Sequence, residues 1–104
     1  MVKIYNKLVR DKIPEIIEAD GLKPRTRILE DGDYLIELVK KLKEEADEFL
    51  ADPTIEELAD IKEILIAIRE AKGFHAGALE DVRRQKATER GRFKNKIFLE
   101  SVDD

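Results

Sequence analysis

The sequence predicts an all-α protein, an antiparallel helical bundle formed by a single domain over residues 1–104. Three observations predict it. Apolar residues at 35, 38, 39, 42, 46, 49 and 50 keep the spacing of one helical face. A second such run, Ile55, Leu58, Ile61, Ile64, Leu65 and Ile68, begins directly after Asp52-Pro53-Thr54. Helices joined by so short a link lie side by side and antiparallel. Finally, charged residues make up 42% of the chain, a proportion suited to helices with solvated faces rather than to a sheet sandwich.

Each element has its own local signals. Pro14 early in a helix, followed by Glu15-Ile16-Ile17-Glu18-Ala19, predicts a short first helix ending near Asp20-Gly21. Residues 23–30 read as extended, a short β-like arm, and Asp31-Gly32-Asp33 as a turn with Asp33 as N-cap of the next helix. That helix runs from Tyr34 to Leu50 and is stopped by Asp52-Pro53. Thr54 opens the following one, which stops near Lys72-Gly73. A further helix spans about 77–90, with Leu79 and Val82 toward the core and Gly91 as its end signal. The tail from Phe93 to Val102, apolar at Ile97-Phe98-Leu99, is expected to dock on the bundle.

Composition bounds what such a chain can do. A small core relative to surface favours pairing with further copies, so a homo-oligomer, a dimer or tetramer, is expected. Without cysteine there are no disulfides, thiolate metal sites or cysteine nucleophiles. The polar start and the absence of a membrane-length apolar run predict a soluble, cytoplasmic protein without a membrane partner. An acidic, aromatic-poor chain is a poor match for nucleic acid.

The net charge of −4 is unevenly spread. Residues 1–12 hold four bases and one acid, +3; residues 30–63 hold thirteen acids and four bases, −9; residues 83–96 hold seven bases and one acid, +6. An acidic centre between basic ends suits a divalent cation with an anionic substrate. Mutual attraction of the segments on folding explains the same pattern, and from charge alone is the better explanation.

The acidic centre contains Glu44-Glu45-Ala46-Asp47-Glu48. At about 100° per residue, Glu45 falls about 80° from the middle of the apolar face, Glu48 about 140° and Glu44 about 180°. Glu45 thus borders the buried face with Glu48 one turn along, while Glu44 points away. On the next helix Glu57 and Asp60 continue the line of Ile61, Ile64 and Ile68. Antiparallel packing brings both pairs close to the shared turn. Oxygen donors alone suit Mg²⁺ or Mn²⁺, whereas zinc would call for histidine or cysteine. Simpler readings exist for each part. Thr54-Ile55-Glu56-Glu57 matches a capping box, and acidic runs are usually solvated faces.

Taken together, Glu44-Glu45-x-x-Glu48 and Glu57-x-x-Asp60 resemble the EExxE…ExxD signature of the all-α NTP pyrophosphohydrolase superfamily, which includes MazG, the dimeric dUTPases and phosphoribosyl-ATP pyrophosphohydrolase. Lys7-Leu8-Val9-Arg10-Asp11-Lys12-Ile13-Pro14 and Arg90-Gly91-x-Phe93 leading to Ile97-Phe98-Leu99 extend the similarity, over almost the whole chain, to a MazG-like house-cleaning or phosphoribosyl-ATP branch. One departure is the eight residues between Glu48 and Glu57, fewer than is usual there.

The resemblance implies a Mg²⁺-dependent enzyme, with Mn²⁺ as a substitute, that splits a nucleoside triphosphate into monophosphate and pyrophosphate. It implies Glu45, Glu48, Glu57 and Asp60 as metal ligands, and Glu44, Glu45 and Glu48 as the catalytic carboxylates, Glu44 in an outer position or as a base. In such sites the metal bridges phosphate oxygens and lowers the pKa of bound water. Lys7, Arg10, Lys86 and Arg90 are candidates to hold the phosphate tail, with ordinary surface charge as the alternative. His75, the one histidine, reads as a capping or surface residue. Tyr5 and Phe93 read first as packing residues, with base stacking as the alternative. Two rival functions are phosphoribosyl-ATP hydrolysis in histidine biosynthesis and a non-catalytic helical adaptor with an acidic binding face.

Overall fold

Helix start and stop signals determine most of the architecture. In a computed structural model describing all residues, Met1–Asp104, the chain forms four α-helices and no strand. They are α1 (Ile13–Ala19), α2 (Asp31–Ala51), α3 (Ile55–Ala71) and α4 (Ala76–Arg90). Pro14 lies in the first turn of α1, where its missing N–H costs nothing. Gly21 follows that helix at φ +83°, a conformation that a Cβ would strain.

The α2 helix begins earlier than the turn signal predicts. Its N-cap is Glu30, with extended backbone and no side-chain cap, and Tyr34 N–H already donates to Glu30 C=O. Asp33 is therefore not the cap. Asp31 and Asp33 both sit inside the first turn, where their charge favours the positive end of the helix dipole. Residues 23–30 form no regular element, so the anticipated β-like arm is absent; a lone strand has no partner here to satisfy its backbone.

Two compact units are present, Met1–Gly73 and Phe74–Asp104. In the first, α2 and α3 pack against one another as an antiparallel hairpin joined by Asp52-Pro53-Thr54. Leu38 on α2 and Ile64 on α3 are its buried apolar side chains, 3% and 6% exposed. Thr54 caps α3, its Oγ1 accepting from Glu57 N–H at 3.2 Å. Each helix also bears an uncovered apolar stripe: Ile36, Val39 and Leu50 on α2, and Ile55, Leu58 and Leu65 on α3. The α3 stripe lines an open groove of about 350 Å³.

The second unit holds α4 and the tail. His75 caps α4, its Nδ1 accepting from Gly77 N–H at 3.1 Å, as its position in the sequence suggested. Leu79 and Val82 do not face a core: both are about half exposed, and α4 buries no residue. Its regularity rests on local contacts such as Arg83 to Glu80, at 3.0 and 2.6 Å. Ile97, Phe98 and Leu99 are exposed rather than docked. No helix is long and apolar enough to cross a membrane.

Candidate metal centre

The buried face of α2 runs through Leu38, Leu42, Glu45 and Phe49, so a carboxylate occupies a position that packing would give to an apolar residue. Glu45 is 9% exposed, close to the 3% and 6% of the apolar core residues Leu38 and Ile64. Sequence periodicity placed it at the border of that face. The difference arises because the uncovered Val39 and Leu50 pull the apolar average away from the line that meets α3.

Antiparallel packing sets Glu45 opposite the first turns of α3, which supply Glu57 and Asp60. One carboxylate oxygen from each of the three lies within 4.8 Å of the other two. Glu45 Oε2 and Glu57 Oε2 are both buried and have no hydrogen-bond partner. Such orphaned oxygens are costly, since burial removes water without supplying a donor. Glu57 is not spent on a reciprocal capping box either: Thr54 N–H donates to Asp52 C=O at 2.8 Å.

Glu45 carries the electrostatic consequence. Its pKa is pushed up from 4.5 to about 7, chiefly by burial, then by the hydrogen bond that a proton would allow with Glu57, and by the charges of Glu48 and Asp60. Two ionised carboxylates share no hydrogen bond, which is why both Oε2 atoms are orphaned once Glu45 loses its proton. A proton or a cation must fill the gap.

The donor set fits a hard divalent cation. All donors are oxygens, and adjacent ligands of an octahedral Mg²⁺ stand about 3 Å apart, so side-chain rotation would have to draw the three carboxylates together from the observed spacing. Glu48 is exposed and outside the three-oxygen convergence, but it bears on Glu45 by charge and hydrogen bonding. Glu44 is also exposed and lines a shallow cleft with Lys7, Leu8, Glu37, Lys40 and Lys41. Lys7 Nζ lies 5.7 Å from the Tyr5 ring centroid and Lys3 Nζ 5.1 Å from it.

Arg10 has a partner that the sequence did not indicate. Its Nη2 donates to Asp60 Oδ1 at 2.6 Å, joining the segment before α1 to the acidic centre. Periodicity within a single helix cannot show this pair, because the partner lies fifty residues away. The opposite charges of residues 1–12 and 30–63 were the signal that could have found it. Lys86 and Arg90 belong to the second unit and are exposed on α4.

No family model matches the chain, and no solved structure matches it. It is similar to an uncharacterized protein of Mycolicibacterium smegmatis, 48% identical over 48 residues. That stretch covers 46% of this chain and 49% of the relative, so the chain spans about half the length of the curated relative it matches.

Proposed function

We propose that the chain is a Mg²⁺-dependent nucleoside triphosphate pyrophosphohydrolase of the MazG-like all-α type, releasing pyrophosphate and a nucleoside monophosphate and clearing non-standard nucleotides in the cytoplasm. The observation that carries this reading is the pair of buried, unpartnered oxygens on Glu45 and Glu57, converging with Asp60. A protein that used these residues for stability alone would gain by replacing them with apolar side chains. The EExxE…ExxD resemblance gives the same residues a chemical purpose.

In this reading Glu45, Glu57 and Asp60 hold the cation, with Glu48 completing the set. A divalent cation held there would supply charge neutralisation for the phosphates and a lowered pKa for water. Water oxygen forms a bond to the α-phosphorus, the bond from that phosphorus to the bridging oxygen breaks, and pyrophosphate leaves with the electron pair. The water's proton passes to a nearby carboxylate. Glu48 suits that role where it does not coordinate the cation directly, being solvent-accessible beside Glu45, and Glu44 is the alternative on the same helix. Lys7 and Arg10, in the same unit as the carboxylates, supply cations for the phosphate tail.

The uncovered stripes on α2 and α3 support a homo-oligomer, since a hairpin burying so little apolar surface has much to gain from a second copy. The test is a product screen over NTPs, dNTPs, modified nucleotides and phosphoribosyl-ATP with Mg²⁺. Equal amounts of monophosphate and pyrophosphate are expected, only with metal present. Orthophosphate with a diphosphate would place attack at the γ-phosphorus and refute the mechanism. A strong preference for phosphoribosyl-ATP would move the enzyme to histidine biosynthesis with its chemistry intact.

A further inference from the structure

Arg10 and Asp60 form an ion pair of short length and low burial. The contact is 2.6 Å, yet the side chains are 56% and 38% exposed. Solvent screening keeps such a pair weak. The guanidinium serves Asp60 and leaves the two buried oxygens, Glu45 Oε2 and Glu57 Oε2, without a partner. A planar guanidinium at the rim therefore neutralises the acidic centre only in part, and a compact dication among the three carboxylates would do so better. The backbone under Arg10 is pinned, because Ile13 N–H donates to Arg10 C=O at 3.0 Å as α1 begins. The side chain is thus a half-exposed cation on a fixed backbone beside Asp60.

We propose that Arg10 is an exchangeable counter-cation: it holds Asp60 while no metal is bound, yields that carboxylate when a divalent cation occupies the centre, and then turns its freed guanidinium to the phosphate of the incoming substrate. The idea rests on the metal-binding reading of Glu45, Glu57 and Asp60. It adds a coupling, since loading the cation creates the free arginine that the anion needs. One residue then has opposite effects on two ligands. It competes with the bare cation for Asp60, and it attracts a cation that arrives with polyphosphate.

The test measures binding rather than turnover. Mn²⁺ alone, and inorganic tripolyphosphate in saturating Mn²⁺, are titrated calorimetrically into the wild-type protein, Arg10→Ala and Arg10→Gln. Both variants should bind bare Mn²⁺ about two- to five-fold more tightly, the range set by removal of one exposed ion pair and its like-charge repulsion. Both should bind tripolyphosphate about tenfold more weakly, as expected for loss of one charge-assisted contact. Unchanged or weaker Mn²⁺ binding in both variants would overturn the exchange while leaving the metal centre standing. Failure of the wild-type protein to bind Mn²⁺ would overturn both.

Discussion

Glu45→Gln is expected to make the metal-free protein more stable and to abolish nearly all of the proposed metal-dependent hydrolysis. At pH 8 the wild-type Glu45 is ionised in a buried position that favours its neutral form, beside an orphaned oxygen of Glu57. The amide keeps the shape, removes the charge and can donate to that oxygen. Supplying a donor to a buried acceptor is worth about 1–3 kcal/mol, and each kcal/mol moves the midpoint of a domain this size by about 4–8 °C. The metal-free variant should therefore melt several degrees higher at pH 8. The rise in melting temperature caused by Mg²⁺ should vanish. Activity should fall on the order of a hundredfold or more, since even groups that only orient ligands are worth 10–100-fold.

The pH dependence follows from the same residue. Because the folded pKa lies near 7 and the unfolded value near 4.5, the folded state holds a proton in that window that the unfolded state has lost. This contribution to stability is complete below pH 4.5 and is lost as pH rises through 7. Metal-free melting temperature should decline over that window in the wild type and lose this component in Glu45→Gln. Stabilisation by Mg²⁺ should be greater at pH 8 than at pH 5.5, because the cation no longer displaces a proton. Superimposable profiles for the two proteins would remove Glu45 as the source.

Leu38→Ala is expected to have the largest effect on stability. Leu38 is 3% exposed and, like Ile64, is a buried apolar side chain of the packed α2–α3 hairpin. Emptying such a position costs about 2–5 kcal/mol, against a total stability of about 5–15 kcal/mol for whole domains. With so small a core this chain has little reserve. The melting temperature should fall by more than about 10 °C. The loss also reaches the site, because the packing that fixes Leu38 against α3 fixes Glu45 against Glu57 on the same helices. Thermal or urea melts check the first effect, and the Mg²⁺-induced shift checks the second. A change within about 2 °C would show that the hairpin is anchored elsewhere.

Much of this was legible in the sequence because its signals are local. Pro14, Gly21, Thr54, Gly73 and Gly91 punctuate the helices where they start or stop. The three-residue link forced the hairpin, and the hairpin brought Glu45, Glu57 and Asp60 together. The less legible features depend on tertiary partners. Periodicity cannot say which of two apolar stripes on α2 will meet α3, so Glu45 was placed at a border rather than in the core. Leu79 and Val82 have helical spacing but nothing in the second unit to pack on, and they remain half exposed. The Arg10–Asp60 pair joins distant segments, and charge segregation hints at such a pair without selecting its members.

The central claim is that Glu45, Glu57 and Asp60 hold a divalent cation, and crystals soaked in Mn²⁺ test it most directly. Anomalous scattering should place one strong peak between these three carboxylates, with Glu48 drawn toward it and Arg10 moved off Asp60 Oδ1. A structure in which Mn²⁺ is absent there, with Glu45 still facing Glu57 and Arg10 still on Asp60, would contradict it.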